Sequence, residues 1–463
     1  MFKLRGKPEN GVGAVVIFLL VVAAAICMVL ALKVTSTQGP TVLLPKPPKG
    51  LGQRSELLVN AKDAKHNLKS LAVEVVQDGQ VIHQSNLVIS ARPHRWWKFW
   101  SAGPASATDW TVLVGREVAP SLKEGRATLR IIALNDSWGR FFRGGRSEEV
   151  LELPVRFAPP QVAVLTSQHY INQGGCDMTV FRVSPGTTES GVQVGDNFFP
   201  SFPAKDPETR LCLFAYPYNM DPATVPHIVA RDDAGNETLA SFSYEVFPKK
   251  FHTDTIDLDK TQGGKFLENV VPPIMSQTPE LRDQGSLIKN FLLINGSLRQ
   301  IDAQRLVAFS QRTAPKFLWK GAFIRLSAKT EASFADYRTY LYGGQPVDHQ
   351  THLGFDLAGS EHMPVRAEND GTVVFAGFFG IFGNAVVIDH GCGLQSLYGH
   401  MSSLEVKEGD QVKREQEIGR SGQTGLAGGD HLHFTMLLDG IPINPVEWWD
   451  PHWIHDRIEA KLQ

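Results

Sequence analysis

Cysteine is scarce in this chain. Its 463 residues include four, too few for a disulfide-stapled scaffold. Charge of one sign is missing as well: 46 Lys and Arg against 48 Asp and Glu leave a net charge of −2, which argues against a dedicated nucleic-acid binder. A removed signal peptide is the alternative reading of the N-terminus, weakened because the apolar run exceeds the usual length of roughly 7 to 15 residues. No small-x-small site follows its apolar run, and Cys27, with Ile26 before it and apolar residues after it, makes a poor lipoprotein box.

What the N-terminus does have is an uncharged run of 21 residues, Val12 to Leu32, about 31 Å long as a helix and enough to span a bilayer core. Lys3, Arg5 and Lys7 precede it and Lys33 comes after it, so the positive-inside rule predicts a cytoplasmic stub and a single-pass, uncleaved anchor, with the remainder outside. Residues 35–50, T-S-T-Q-G-P-T-V-L-L-P-K-P-P-K-G, are rich in proline and glycine and read as an extended spacer.

Beyond the spacer the length prior is about three domains. Alternating runs such as Leu71-Ala72-Val73-Glu74-Val75 and Ala127-Thr128-Leu129-Arg130-Ile131, with a hairpin signal at Asp78-Gly79, predict strands. A similar stretch runs from Pro160 to Phe247. I-A-L-N-D (132–136) aligns with V-A-R-D-D (229–233), each ending a strand in a turn. The pattern predicts two tandem immunoglobulin-like β-sandwich modules, 51–158 and 159–248; one irregular β domain is the alternative. Cys176 and Cys212 fall in the second and can pair in an oxidising compartment, leaving Cys392 as an unpaired turn thiol.

In the first module R-P-H-R-W-W-K-F-W (92–100), with R-F-F-R-G-G-R (140–146), combines basic and aromatic residues. The patch suits a bilayer interface or glycan sugars, or else alternate aromatics fill the core while the basic ends reach solvent. Residues 249–314 show helical periodicity around Leu287, Ile288, Phe291 and Leu292, then Ile301, Leu306 and Phe309. Gly296 interrupts it, and Ser297 with Gln300 fits a capping box. A helical linker, placed to cover a groove in the C-terminal domain, is expected. Trp453 to Leu462 reads as a short C-terminal helix.

Between linker and tail lie His352 and Asp356 in H-L-G-F-D, His400 ending Y-G-H, and His431 and His433 in H-L-H. A catalytic zinc site uses three N, O or S ligands and leaves a fourth position for water. Two histidines and a carboxylate make such a set, with two histidines left for acid–base chemistry. On strands, residues two or four apart share a side, and the surroundings, punctuated by glycine and β-branched residues, favour strands over a helix. His349, His362 and His390 are flanked by turn residues and read as surface or turn histidines.

The ordered motifs H-L-G-F-D-L-A (352–358), L-Y-G-H-M (397–401), S-G-Q-T-G (421–425), H-L-H-F (431–434) and I-N-P (443–445) resemble the lysostaphin/LytM-type zinc metallopeptidases, which cut peptide bonds in peptidoglycan. The resemblance covers residues 315–450. It implies one Zn2+ held by His352, Asp356 and His433, with His400 and His431 catalytic and their roles not separable. F-A-D-Y-R (334–338) departs from it, since the family often has glycine where Ala335 stands. V-K-E-G-D-Q-V-K-R-E-Q-E-I-G-R-S-G (406–422) resembles the hammerhead turn of lipoyl and biotin carriers, yet it has no carrier lysine, so it reads as a turn-rich β scaffold. S-G-Q-T-G is either a groove-edge loop or a simple tight turn.

The expected architecture is mainly β: a stub and transmembrane helix (1–34), spacer (35–50), two sandwich modules, helical linker (249–314), antiparallel β metallopeptidase domain (315–450) and C-terminal helix (451–463). The expected function is peptidoglycan hydrolysis from the bacterial inner membrane, with the catalytic domain on the periplasmic or extracellular side. Envelope proteins are possible partners of the β modules. The alternatives are a non-enzymatic activator of cell-wall amidases and a peptidase for exported proteins.

Overall fold

A computed structural model of the chain describes residues 10–35, 38–89, 106–137 and 139–462. The basic-aromatic run 92–100 and the lysines and arginine ahead of the apolar run lie outside the described residues. The chain divides into two compact units, Met1–Pro159 with Arg231–Glu237, and Pro160–Ala230 with Thr238–Gln463.

In the first unit the apolar run forms a 26-residue helix, Asn10–Thr35, long and apolar enough over Val15–Leu32 to cross a membrane. The strands after it make two sheets. Thr41–Leu43, Ser55–Asp63 and Ser106–Val114 form one; Gln80–Val88, Leu68–Gln77, Gly125–Asn135 and Arg146–Val155 form the other. Burial alternates along the long strands, so Leu57, Val59, Leu71, Val73, Leu129 and Ile131 share one core as the two-residue repeat requires. The Asp78-Gly79 hairpin forms with both residues at positive φ (52° and 76°), the tight turn that matches strand twist. In the companion patch, Phe141 is 72% exposed rather than in the core.

The second unit begins with another pair of sheets. One has the order Phe202–Pro203, Thr209–Ala215, Cys176–Val183, Val162–Val164; the other has Asn197–Pro200, Thr187–Val194, His227–Asp232, Glu237–Ala240. All four cysteines are free, and Cys176 and Cys212 do not pair. Cys176 lies opposite Ala215 and Cys212 opposite Thr179. That three-residue offset separates them by about 10 Å along the strands and turns their side chains to opposite faces, beyond the roughly 7 Å a disulfide spans.

The linker differs from its expected form. It opens with a strand, Thr253–Asp257, parallel to Asp336–Tyr342, and continues through helices Phe266–Gln277, Leu287–Leu293 and Arg299–Ser310. The expected capping box does not form: a π-turn over Ile294–Leu298 carries the chain past Gly296 without a break, and the cap sits at Ser286, which accepts from the Lys289 amide. Continuing the helix keeps Ile294 and Leu298 in the linker core with Phe291 and Val271.

The C-terminal region is built on one large sheet in the order Lys329–Ala332, Phe355–Ala358, Leu432–Leu438, Leu394–Met401, Asn384–Gly391, Gly371–Phe378, Gln411–Val412. Every residue of Leu394–Met401 and Leu432–Leu438 is buried, as expected for central strands covered on both faces. Gly391-Cys392-Gly393 makes the predicted turn. The tail is a short helix, Pro451–Arg457, and a 3-10 turn, Glu459–Leu462. It reaches the strand Cys176–Val183, where Lys461 Nζ meets Asp177 Oδ1 at 2.6 Å.

Candidate metal centre

Sheet register brings the five candidate residues together. Asp356 pairs with His433 across adjacent strands, and His433 pairs on its other side with Gly399, next to His400. His352 ends the strand Gln345–His352, opposite Asp336. His431 enters the Leu432–Leu438 strand through a bridge to Gly422. His352, Asp356, His400 and His433 are buried.

His352 Nε2 lies 2.9 Å from Asp356 Oδ1 and 3.1 Å from His433 Nδ1, and His433 Nδ1 lies 2.9 Å from the same carboxylate oxygen. Outer partners set the protons. His352 Nδ1 donates to the Ser333 carbonyl at 3.0 Å. The Thr435 hydroxyl donates to the Leu353 carbonyl at 3.0 Å, so at 2.9 Å from His433 Nε2 it accepts that ring's proton. Each neutral ring therefore turns a lone pair toward Asp356. Three lone pairs about 3 Å apart repel unless protons or a cation sit among them, and tetrahedral zinc ligands are about 3.3 Å apart. The donor set fits a zinc ion, and the carbonyl and hydroxyl behind the rings are the outer partners such ligands need.

The other two rings are oriented alike. His400 Nδ1 donates to the Thr424 carbonyl at 2.8 Å and His431 Nδ1 to the Gly429 carbonyl at 2.9 Å, which turns both Nε2 atoms toward the site. His431 Nε2 is 3.5 Å from Asp356 Oδ1, and the two ring centroids are 4.8 Å apart. His400 has a φ of 62°, left-handed backbone that holds it at the strand end.

Burial alone would raise the Asp356 carboxyl, yet the adjoining His352, His431 and His433 rings outweigh it and hold the group well below the usual carboxylate range. Burial draws His433 down to about 4, against the pull of Asp356. His400 lies well below the ordinary imidazole value through burial and the neighbouring His431 and His433. His431 is shifted upward, because Asp356 outweighs its burial.

A cavity of about 300 Å³ opens on these residues. Its far wall comes from the linker, through Thr255, Thr261, Phe266 and Arg299, and its near wall includes Arg338, Phe382, Leu426 and Gly428. The S-G-Q-T-G segment is thus a groove-edge loop: Thr424 fixes His400, and the residues just after it line the cavity.

Among the set-aside histidines, His349 and His362 are exposed. His390 is a correction. It is fully buried in the strand Asn384–Gly391, with Nδ1 on the Asp370 carbonyl at 2.7 Å and Nε2 on Ser396 Oγ at 2.8 Å, and burial holds it near 4. Of the residues beside it, Asp389 lies in the same strand and Gly391 ends that strand before the Cys392-Gly393 turn.

Sequence reasoning passed over Arg338, whose Nη2 lies 3.0 Å from Asp356 Oδ2, and Thr435, Ser333 and Gly354. Thr435 had a signal, lying two residues beyond His433 on the same strand face. So did Gly354: a Cβ there would come within 2.6 Å of the His433 ring and of Thr435 Oγ1, so only glycine leaves room for both side chains. Arg338 and Ser333 carry no local signal.

Peptidase family M23 matches residues 350–445. The chain is 41% identical over 107 residues to the DD-carboxypeptidase/endopeptidase Mpg of Neisseria meningitidis serogroup B, covering 23% of this chain and 25% of that protein. It is 41% identical over 96 residues to the peptidoglycan DD-endopeptidase ShyA of Vibrio cholerae, covering 21% and 22%. Among solved structures, the catalytic domain of lysostaphin from Staphylococcus simulans aligns with 28% identity and a TM-score of 0.23, over 26% of this chain and 92% of that one. The chain thus spans about a quarter of the length of the curated relatives it matches. Residues 350–445, which hold all five candidate side chains, are a peptidase family M23 domain.

Proposed function

We propose that this chain is a membrane-anchored, zinc-dependent endopeptidase that hydrolyses stem or cross-link peptides of peptidoglycan. The observation that carries it is the convergence of three lone-pair donors, on His352, Asp356 and His433, beside two further rings whose Nε2 atoms face the same cavity. A zinc ion held by those three residues would acidify a water to a pKa of about 7 and polarise the scissile carbonyl. His431 and His400 take the water's proton, hydrogen-bond the developing oxyanion and return a proton to the leaving amine. Arg338, on the outer oxygen of Asp356, keeps that carboxylate ionised with its other oxygen toward the ligand cluster.

The substrate class comes from the relatives, named as peptidoglycan DD-endopeptidase and DD-carboxypeptidase/endopeptidase. The place comes from the Asn10–Thr35 helix, which we read as a single-pass anchor in the bacterial inner membrane, with residues 35–50 as a spacer and the metal site outside. The test is zinc analysis of the detergent-purified chain, then incubation with sacculi and mass analysis of released fragments. About one zinc per chain with cleaved wall peptides is expected. Absence of metal would point instead to a regulator of amidases, and metal without wall cleavage to a peptidase for exported proteins.

A further inference from the structure

Two guanidinium groups line the cavity, and only one has a carboxylate partner. Arg338 is paired with Asp356. Arg299, at the start of the linker helix Arg299–Ser310, donates from Nε to Asn295 Oδ1 at 2.9 Å, and its two terminal nitrogens meet no acceptor among the described residues. No nearby carboxylate meets those nitrogens among the described residues, although Asp302 Oδ1 has no hydrogen-bond partner of its own. Asp348 Oδ2 accepts from Asn295 Nδ2 at 2.7 Å; Asp302 Oδ2 accepts from the Ile381 amide at 2.9 Å, and its Oδ1 lies 3.7 Å from Arg305. Asp257, also in the wall, is held by Lys260 at 2.6 Å.

A half-buried cation that feels the charge of a second one, Arg338, is unfavourable unless an anion or solvent meets it. With Nε already tied to Asn295, the Arg299 fork is held in place, and its free donors have the cavity as their outlet. A guanidinium fork matches a carboxylate in plane and spacing and takes it through two parallel hydrogen bonds. A cavity of about 300 Å³ is of the size that takes a small ligand, here one or two small residues next to the metal site.

We propose that Arg299 is a specificity-determining residue that binds a free carboxylate of the peptide substrate close to the scissile bond. This rests on the peptidase reading. The carboxylate is either the peptide's C-terminus or a second acid group on a side chain, and the two are separable by experiment. Affinity is measured by calorimetry on the zinc-free full chain in detergent, so that hydrolysis does not intrude. The probes are N-acetyl-D-alanyl-D-alanine, N-acetyl-D-alanyl-D-glutamic acid with its C-terminus amidated, and N-acetyl-D-alanyl-D-alaninamide, which has no acid.

At least one acid is expected to bind about tenfold tighter than the amide, and which acid does so identifies the source. In Arg299→Gln the preference falls to about twofold or less while amide affinity holds; in Arg299→Lys, which keeps the charge but loses the fork, only part of it remains. The proposal is overturned if the unaltered chain prefers neither acid, a result needing no variant, or if Arg299→Gln keeps the preference. A parallel assay of the zinc-loaded chain on sacculi separates this from the function: discrimination lost in Arg299→Gln without any wall cleavage leaves the carboxylate subsite standing and removes the peptidase reading.

Discussion

At the residue scale the division between ligands and proton-transfer groups is open to direct test. His433→Ala removes one of three donors, so bound zinc should fall below about a tenth of a metal per chain after dialysis. His400→Ala should keep its zinc while turnover falls by about 100-fold or more; metal loss from it would refute the assignment. Ala335 stands where the resembled family often carries glycine, and its φ of 62° is the left-handed conformation glycine favours. That strain is worth about 1–2 kcal/mol, but glycine adds unfolded-state entropy of about 0.5–1 kcal/mol, and the buried methyl contributes about 0.8 kcal/mol. Ala335→Gly should therefore leave stability within about 0.5 kcal/mol in denaturant unfolding. A loss above about 1 kcal/mol would mean the turn carries no strain.

Asp439, on the turn after the Leu432–Leu438 strand, is pushed up to about 7 by burial, and its Oδ2 has no hydrogen-bond partner. A carboxyl whose folded pKa lies above its unfolded value holds more protons folded than unfolded between the two. Its contribution is thus full below about pH 4 and is lost as pH rises to about 7. Asp439→Asn cannot ionise and tolerates positive φ. Relative to the unaltered chain, its stability should rise by roughly 1–3 kcal/mol between pH 4 and pH 8, read from thermal melts. A constant difference across that range would contradict the shift.

At the scale of elements, the linker is tied to the C-terminal domain as well as lying beside its cavity. Asp302 is fully buried, accepts from the Ile381 amide at 2.9 Å and packs so closely on Gly380 that a side chain there would run into its carboxylate. Asp302→Ala leaves that amide unpaired and should cost about 1–3 kcal/mol. Faster proteolytic cleavage within residues 253–310 is expected to accompany the loss; unchanged cleavage would mean other contacts hold the linker. The helical periodicity of this segment was legible from Leu287, Phe291 and Leu306. The Thr253–Asp257 strand was not, because it lacks an apolar alternation and owes its form to parallel pairing with Asp336–Tyr342, which no local pattern encodes.

At the scale of the molecule, the tail shows how far apart in sequence a determinant can lie. Lys461 Nζ contacts Asp177 Oδ1 at 2.6 Å and the Met178 carbonyl at 2.8 Å, with both side chains buried. Lys461→Met strands a buried carboxylate, so a loss of about 3–5 kcal/mol is expected at neutral pH. The loss should shrink on acidification, since burial already raises Asp177 and protonation removes its charge. Equal midpoints for the two chains in urea would show that the pair contributes nothing.

The sequence by itself determined the donor set, because residue type decides which atoms can hold a metal, and the H-x-x-x-D and H-x-H spacings persist whatever surrounds them. It also determined the apolar helix, whose length and lack of charge are local properties. Only the tertiary structure decided which lone pairs face one another. The tautomers of His352, His433, His400 and His431 are set by Ser333, Thr435, Thr424 and Gly429, and the second wall of the cavity includes the Thr253–Asp257 strand, about a hundred residues upstream of His352. Such partners meet only when the sheets and the linker have packed, so no window of sequence contains them.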